Sequence, residues 1–363
     1  LLDESYIQIA IELAKKGLGL VSPKPLRGAL LVKNNKIIGA AYRSSPLEEI
    51  TEILAIKNSK ESVEDSTLYT NLEPCTFCES DLSFVDFLIE SKIKKIVIGT
   101  VNPDPKLGGA AVKKMKRAGI EVKTGLLEKE CLELNRFYSK FSVTQIPYVS
   151  LKMAITVDGK IADQSGNSKW ISSVESRSFV HQLRSEYDAV LVGIKTVLAD
   201  NPKLTVRLVE GRNPKRIVLD SNLQIDSRLK LVRHNDDGNL IVVTSQKNRN
   251  KKRKLAKLND YGVEILFVEE KKDGRINLTD VLKKLGERNI TSVLVEGGGK
   301  IFSAFIKEKL EDEILIFMAP KFLGGGIPLA NGLGVKLMSK AFNYTIKDMD
   351  KVGEDALLKL VRR

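Results

Sequence analysis

Ser292-Val293-Leu294-Val295-Glu296-Gly297-Gly298-Gly299-Lys300-Ile301 reads as a buried strand, a glycine-rich turn and the opening of a helix. Alternating valines and leucine in a short apolar run suit a strand covered on both faces. The glycines allow a sharp turn, and the run 300–308 behind them has helical spacing. A strand that passes through such a turn into a helix is half of a β-α-β unit, so the stretch points to an α/β layer fold. The turn also leaves free backbone N–H groups at the positive end of a helix dipole, where a phosphate binds. It serves equally well as a tight chain reversal and by itself does not choose between the two.

The alternation extends outward in both directions. Strands are expected at 148–154, 189–192, 216–219, 240–243, 264–268 and 314–317, and helices at 174–187, 250–261 and 278–288. The first half alternates too, with strands at 28–32, 67–70 and 95–99, a helix at 107–119 stopped by Gly119, a strand at 120–122 and a charged helix at 127–141. Pro147 follows, and the expected domains are 1–145 and 146–363.

A chain of 363 residues can hold two full cores, and 42% hydrophobic with 29% charged residues describes a globular protein. Apolar runs fall short of the roughly 20 residues a membrane span needs, and no signal-peptide layout opens the chain, so a cytoplasmic protein without a membrane partner is expected. Cys75, Cys78 and Cys131 are too few for a disulfide framework. The net charge of +13 is mostly interleaved with Asp and Glu, and the one dense run, 247–254, reads as a solvated face opening a helix. A nucleic-acid partner is therefore not expected, whereas small phosphorylated substrates and dinucleotides suit the positive field.

Two fragments of the first half carry metal chemistry in outline. Zinc nucleobase deaminases use H-x-E followed by P-C-x-x-C, the Glu moving protons at the metal-bound water. Here Glu52 precedes an apolar helical run, but Ile50 stands where the histidine would be, and His181 and His234 are far downstream. Pro74-Cys75-Thr76-Phe77-Cys78 matches P-C-x-x-C, yet the next helix begins at Phe84, where the second thiolate would sit, leaving Cys78 in the loop ahead. The expectation is no metal, with Cys75 and Cys78 as reduced thiols. The open alternative is an atypical zinc site on these two cysteines with Glu49 or water as substitute ligand.

Taken together, the two halves resemble the riboflavin-biosynthesis family that fuses a pyrimidine deaminase to a pyrimidine reductase. In the first half the resemblance rests on Ser22-Pro23-Lys24-Pro25-Leu26-Arg27-Gly28, Glu52, Glu73-Pro74-Cys75 and Asn102-Pro103-Asp104-Pro105-Lys106. Lys24, Ile50, Phe84 and Asn102 replace the family's asparagine, histidine, cysteine and aspartate. In the second half it rests on the runs 151–160, 168–172, 192–197, 200–207 and 219–221, on Glu296-Gly297-Gly298-Gly299, and on Ala319-Pro320-Lys321-Phe322-Leu323-Gly324-Gly325.

The resemblance implies a cytidine-deaminase-like domain followed by a dihydrofolate-reductase-like one, which transfers hydride from NADPH to the ribosyl C1′ of an aminouracil phosphate. By the same resemblance Ala154, Trp170, Thr196, Asp200, Ser221, Gly298 and Gly299 would hold NADPH. Ser168, Arg184, Leu204, Arg207 and Glu296 would hold the substrate, a phosphorylated pyrimidine. It further implies homo-oligomers and, where the deaminase site is degenerate, a separate deaminase upstream.

Residue chemistry agrees with those roles. Arg184 and Arg207 suit bidentate phosphate binding, Glu296 suits N–H or hydroxyl donors, and Trp170 offers an apolar face. Asp200 and Lys152 are the candidates for proton movement. Plainer readings compete: a core tryptophan, a solvated helix edge for Arg177, His181 and Arg184, a structural His181, a capping Thr196. Outside enzymology, a basic RNA-binding protein on a deaminase-like scaffold is the alternative.

Overall fold

The computed structural model describes residues 2–74, 84–330 and 332–363. The chain divides into two compact units, Leu1–Gln145 and Ile146–Arg363.

The first unit contains helices α1 (Asp3–Lys15), α2 (Thr51–Lys57), α3 (Phe84–Glu90), α4 (Ala110–Arg117), α5 (Glu128–Leu134) and α6 (Arg136–Thr144). Its strands β1 (Gly28–Lys33), β2 (Lys36–Tyr42), β3 (Thr67–Leu72), β4 (Lys95–Thr100) and β5 (Glu121–Thr124) form one sheet in the order β2-β1-β3-β4-β5. Both faces of this sheet are covered. Leu31, Leu68, Ile96 and Ile98 face α2, α3 and α4, whereas Leu30, Tyr69 and Val97 pack against Tyr6, Ile7, Ile11 and Cys131. The single helix expected over 127–141 is two. Asn135 interrupts it because its amide accepts from the Leu26 N–H at 2.8 Å and donates to the Leu26 carbonyl at 3.0 Å. A buried loop backbone is satisfied there at the expense of helix continuity.

The second unit contains β6 (Tyr148–Thr156), β7 (Lys160–Ala162), β8 (Ala189–Gly193), β9 (Lys215–Leu219), β10 (Leu240–Ser245), β11 (Glu264–Val268), β12 (Ser292–Gly297), β13 (Glu313–Ala319), β14 (Ile327–Pro328), β15 (Tyr344–Val352) and β16 (Asp355–Arg362). Its helices are α7 (Val174–Glu186), α8 (Ile194–Asp200), α9 (Lys230–Arg233), α10 (Lys252–Asn259), α11 (Leu278–Gly286) and α12 (Gly299–Glu308). The main sheet runs β11-β10-β9-β8-β12-β6-β13-β16-β15. Strands β11 through β13 in that order pair in parallel, and β16 and β15 join antiparallel.

The parallel strands carry the apolar runs the sequence showed, because both faces are buried: Val149, Leu151, Leu191, Ile217, Val243, Val293 and Val295 all sit in one core with α11 and α12. The β15/β16 hairpin was not anticipated. Its outer strand mixes charged and apolar residues without a period of two and buries neither set, so periodicity gave no signal. The helix expected over 250–261 is shorter, with a turn of tighter helix over Gln246–Asn250 ahead of α10, and it stays at the surface. No described helix is long and apolar enough to cross a membrane.

Candidate active site

Strand register assembles the site. Val295 of β12 lies beside Leu151 of β6, so Glu296 and Lys152 follow on neighbouring strands and project from the same face. On the other side of β6, Phe317 pairs with Ala154, and the Lys152 ammonium lies 5.6 Å from the centre of the Phe317 ring. The β12/β8 ladder slips between Val295 and Gly297, making Glu296 the extra residue of a bulge, a device that re-aims a side chain.

Helix α7 supplies the other half. Arg184 grips Glu296 with Nε to Oε1 at 2.6 Å and Nη2 to Oε2 at 2.7 Å, and its Nη1 donates to the Thr205 carbonyl at 3.3 Å. One turn earlier, buried His181 accepts the Arg207 backbone N–H on Nδ1 at 2.9 Å. One turn earlier again, the Arg177 guanidinium stacks 4.4 Å from the Trp170 ring centre and donates to the Ser172 carbonyl. The spacing Arg177, His181, Arg184 is thus a positioning stripe along α7, and the solvated-edge reading is wrong for it. Leu204, buried with φ of 55°, holds the left-handed conformation at the start of the gripped segment. Such strained residues cluster at ligand sites.

Charge is balanced across this cluster. Burial and neighbouring Arg184 lower the Lys152 ammonium below its ordinary value, with Glu296 opposing them. Burial would raise the Glu296 carboxyl, but Arg184, Lys152 and His181 outweigh it and hold the group below its usual range. His181 is pushed down to about 4 by burial, Arg184, Arg207 and Lys152, so at neutral pH it is an uncharged imidazole. Its acceptor role at Nδ1 assigns the proton to Nε2.

The residues expected to hold a cofactor line one edge of the sheet. Ala154 lies near the carboxyl end of β6, Gly298 and Gly299 just past β12, Thr196 in α8 just past β8, and Ser221 just past β9. These are four adjacent strands, and such a carboxyl edge is where open α/β sheets bind ligands. The glycine turn is close-fitted: a Cβ on Gly298 would come 3.2 Å from Thr196 Oγ1, and one on Gly299 2.9 Å from the Leu329 carbonyl. Both glycine positions are therefore tight for a side chain where the chain enters α12.

Trp170 is 63% exposed, which excludes the core-packing reading. Its loop, which includes Ser168, is held by Lys321, whose ammonium donates to the Trp170 and Ile171 carbonyls at 2.8 and 2.9 Å. Asp158 secures the neighbouring 320s loop by accepting the Leu323 and Gly324 N–H groups. Asp200 stands apart: it is exposed at the end of α8, and no described hydrogen bond or ion pair links it to the charged cluster.

In the first unit Glu52 is fully buried, and Oε1 accepts from Arg27 Nη1 at 3.0 Å and Thr70 Oγ1 at 2.9 Å. Arg27 is itself buried and donates further to the Leu72 and Glu73 carbonyls. Ile50 ends its run against the apolar core. Glu73 is structural: its carboxylate accepts the N–H groups of Asn102, Gly109 and Val112 and clamps the approach to α4. Cys75 and Cys78, and the side chain of Phe84, lie outside the described residues. Among the described ones, no group of three or more His, Cys, Asp or Glu could hold a metal. Ile50 offers no metal ligand, and Glu52 Oε1 is engaged by Arg27 and Thr70 while its buried Oε2 has no hydrogen-bond partner among the described residues.

Residues 147–358 match the RibD C-terminal domain, and residues 2–100 match the cytidine and deoxycytidylate deaminase zinc-binding region. The riboflavin biosynthesis protein RibD of Aquifex aeolicus is 38% identical over 358 residues, 98% of each chain. Among solved structures, RibD of Acinetobacter baumannii superposes with a TM-score of 0.89 at 31% identity, covering 99% of both chains. The diaminohydroxyphosphoribosylaminopyrimidine deaminase/5-amino-6-(5-phosphoribosylamino)uracil reductase of Thermotoga maritima does so at 0.87 and 35%, again covering 99% of both. Two domain models in this order, with full-length relatives, establish a cytidine-deaminase-like unit followed by a dihydrofolate-reductase-like one, and the chain belongs to the RibD family of riboflavin-biosynthesis enzymes.

Proposed function

We propose that the second unit reduces the ribosyl group of 5-amino-6-(5-phosphoribosylamino)uracil to the ribityl form with NADPH, and that the first unit has lost its deaminase activity. The observation carrying the first part is the Lys152–Glu296–Arg184 cluster beside a close-fitted glycine turn at the carboxyl edge of the sheet.

NADPH fits that edge: Ala154, Thr196, Ser221, Gly298 and Gly299 line it, with Trp170 offering a ring face. When bound, it supplies the hydride that goes to C1′ of the sugar. Opening the ring breaks the bond between C1′ and the ring oxygen, and that oxygen takes up a proton. Lys152 is placed to give it, since its ammonium is held beside a carboxylate yet loses its proton more readily than an ordinary lysine. Asp200, exposed and outside the cluster, is a cofactor contact in this reading rather than the proton donor. Arg184 is committed to Glu296, so the pair braces the site, and the exposed Arg207 is left for the substrate phosphate, with Ser168 and Leu204 flanking.

NADPH consumption tests this: the deaminated aminouracil ribosyl phosphate should be reduced, and the amino form should release no ammonia. The rival reading retains the deaminase step on a zinc bound by Cys75 and Cys78, and the two activities in the name of the Thermotoga relative favour it. Stoichiometric zinc together with ammonia release would decide for the rival.

A further inference from the structure

We infer that Arg27 is the first unit's internal counter-ion, a fixed cation standing in for the metal charge beside Glu52 and making that unit a metal-independent scaffold. The inference rests on the reading that the deaminase activity is lost, and explains how the unit stays folded without its metal.

The region is buried and polar. Glu52 is 0% and Arg27 4% exposed, so neither charge has water to solvate it. A buried carboxylate needs a compensating charge or hydrogen bonds. A zinc deaminase provides a metal-bound water against its glutamate. Here a guanidinium nitrogen lies 3.0 Å from Oε1, and Thr70 Oγ1 lies 2.9 Å from the same oxygen. The other guanidinium contacts, to the Leu72 and Glu73 carbonyls, fix Arg27 at the carboxyl end of β3, so the cation belongs to the scaffold and not to a mobile surface chain.

A divalent ion at the glutamate would then face a resident positive charge with little solvent between them. Ile50, packed into the apolar core at the start of α2, adds hydrocarbon where a ligand would be required. The pair and the isoleucine are therefore two halves of one replacement: the metal's ligand became core, and its charge passed to an arginine.

Calorimetry on the full chain tests the inference through Arg27→Met, Arg27→Lys, Glu52→Gln and the Arg27→Met/Glu52→Gln pair. Arg27→Met should lower the first unit's midpoint by about 10 °C, because it leaves a buried carboxylate unpaired. The double variant should regain about half of that loss, and Arg27→Lys should retain more than Arg27→Met because it keeps the charge. NADPH oxidation should be unchanged in all four. Additive losses, or a lysine variant as weak as the methionine one, overturn the counter-ion role. If Arg27→Met yields no soluble protein, the comparison of Arg27→Lys with Glu52→Gln decides: charge retention must leave the lysine variant the more stable. Zinc analysis of the unsubstituted protein separates the two readings. About one zinc per chain removes the loss-of-deaminase reading itself, whereas absent zinc with uncoupled variants removes only the role of Arg27.

Discussion

Arg184 and Glu296 are joined by two parallel hydrogen bonds, 2.6 and 2.7 Å long, across α7 and β12. Both side chains are about nine-tenths buried, so the pair is shielded from screening by salt. A lysine cannot reproduce the fork. Arg184→Lys should therefore cut kcat/KM for the aminouracil phosphate about 100-fold, and Arg184→Met, leaving Glu296 buried and unpaired, should cost about 3–5 kcal/mol of stability. Steady-state kinetics and urea unfolding check the two numbers. A lysine variant with ordinary kinetics would remove the fork from the argument.

Lys152 gives a second prediction. In the proposed role of proton donor it must carry its proton, and burial with Arg184 lowers the pH at which it loses it. Turnover should fall on the alkaline side, at a pH below the ordinary lysine range. Lys152→Met should reduce kcat about 100-fold or more while leaving NADPH affinity intact. Pre-equilibrium binding beside the kinetics distinguishes loss of chemistry from loss of cofactor.

The parallel strands were legible in the sequence because their apolar runs are buried on both faces, and residues such as Val293 and Leu191 carry no other signal. The glycine turn was legible as punctuation. The pairing of Arg184 with Glu296 was not: 112 residues separate them, and only the register of β12 against β6 and the packing of α7 bring them together. Treated singly, each looked like a ligand contact, whereas folded they satisfy each other. His181 reads as structural from the sequence, but its particular partner, the Arg207 backbone N–H, is one that no side-chain pattern reveals. In the first unit the motif letters around Glu52 pointed at a scaffold, while Arg27, the residue that neutralises it, belongs to a different fragment.

His181 should act as a positioning residue for Arg207. Removing its acceptor in His181→Ala should raise KM for the substrate about 10-fold, with kcat and the KM for NADPH little changed, and His181→Asn should recover part of the effect because its oxygen can take the same N–H. The sign of the pH effect follows from a folded value of about 4 against about 6.5 in the unfolded chain. Between those values the unfolded state binds more protons, so this contribution to stability is lost as pH falls from 6.5 toward 4. Urea midpoints of the parent and His181→Asn across that window should converge at its acidic end.

Trp170 is the only tryptophan and is exposed, so its fluorescence is an unobstructed reporter. NADPH binding should quench it, and Arg177→Ala, which frees the ring from its stacked guanidinium, should weaken NADPH binding several-fold without touching the reacting atoms. A titration in which emission is unchanged while NADPH is demonstrably bound would place the cofactor elsewhere.

Gly298 separates packing from ligand approach. Its φ of −99° suits any residue, so alanine there brings no backbone strain, only a methyl 3.2 Å from Thr196 Oγ1. A shift of a few tenths of an ångström by Thr196 relieves that contact, and Gly298→Ala should cost about 1 kcal/mol of stability or less. Thr196 and the turn both line the edge where a phosphate of the cofactor is expected to lie, so a methyl between them narrows that approach. KM for NADPH should therefore rise about 10-fold or more in a protein whose unfolding midpoint is nearly that of the parent. Thr196→Ala/Gly298→Ala removes the Oγ1 that the methyl meets and so gives it room against the fold but not against the ligand, with Thr196→Ala alone as the reference for any loss of a cofactor contact by Thr196 itself. If that second change restores NADPH affinity, the defect lay in packing and the turn is not the phosphate site; if affinity stays low, the turn is where the cofactor approaches.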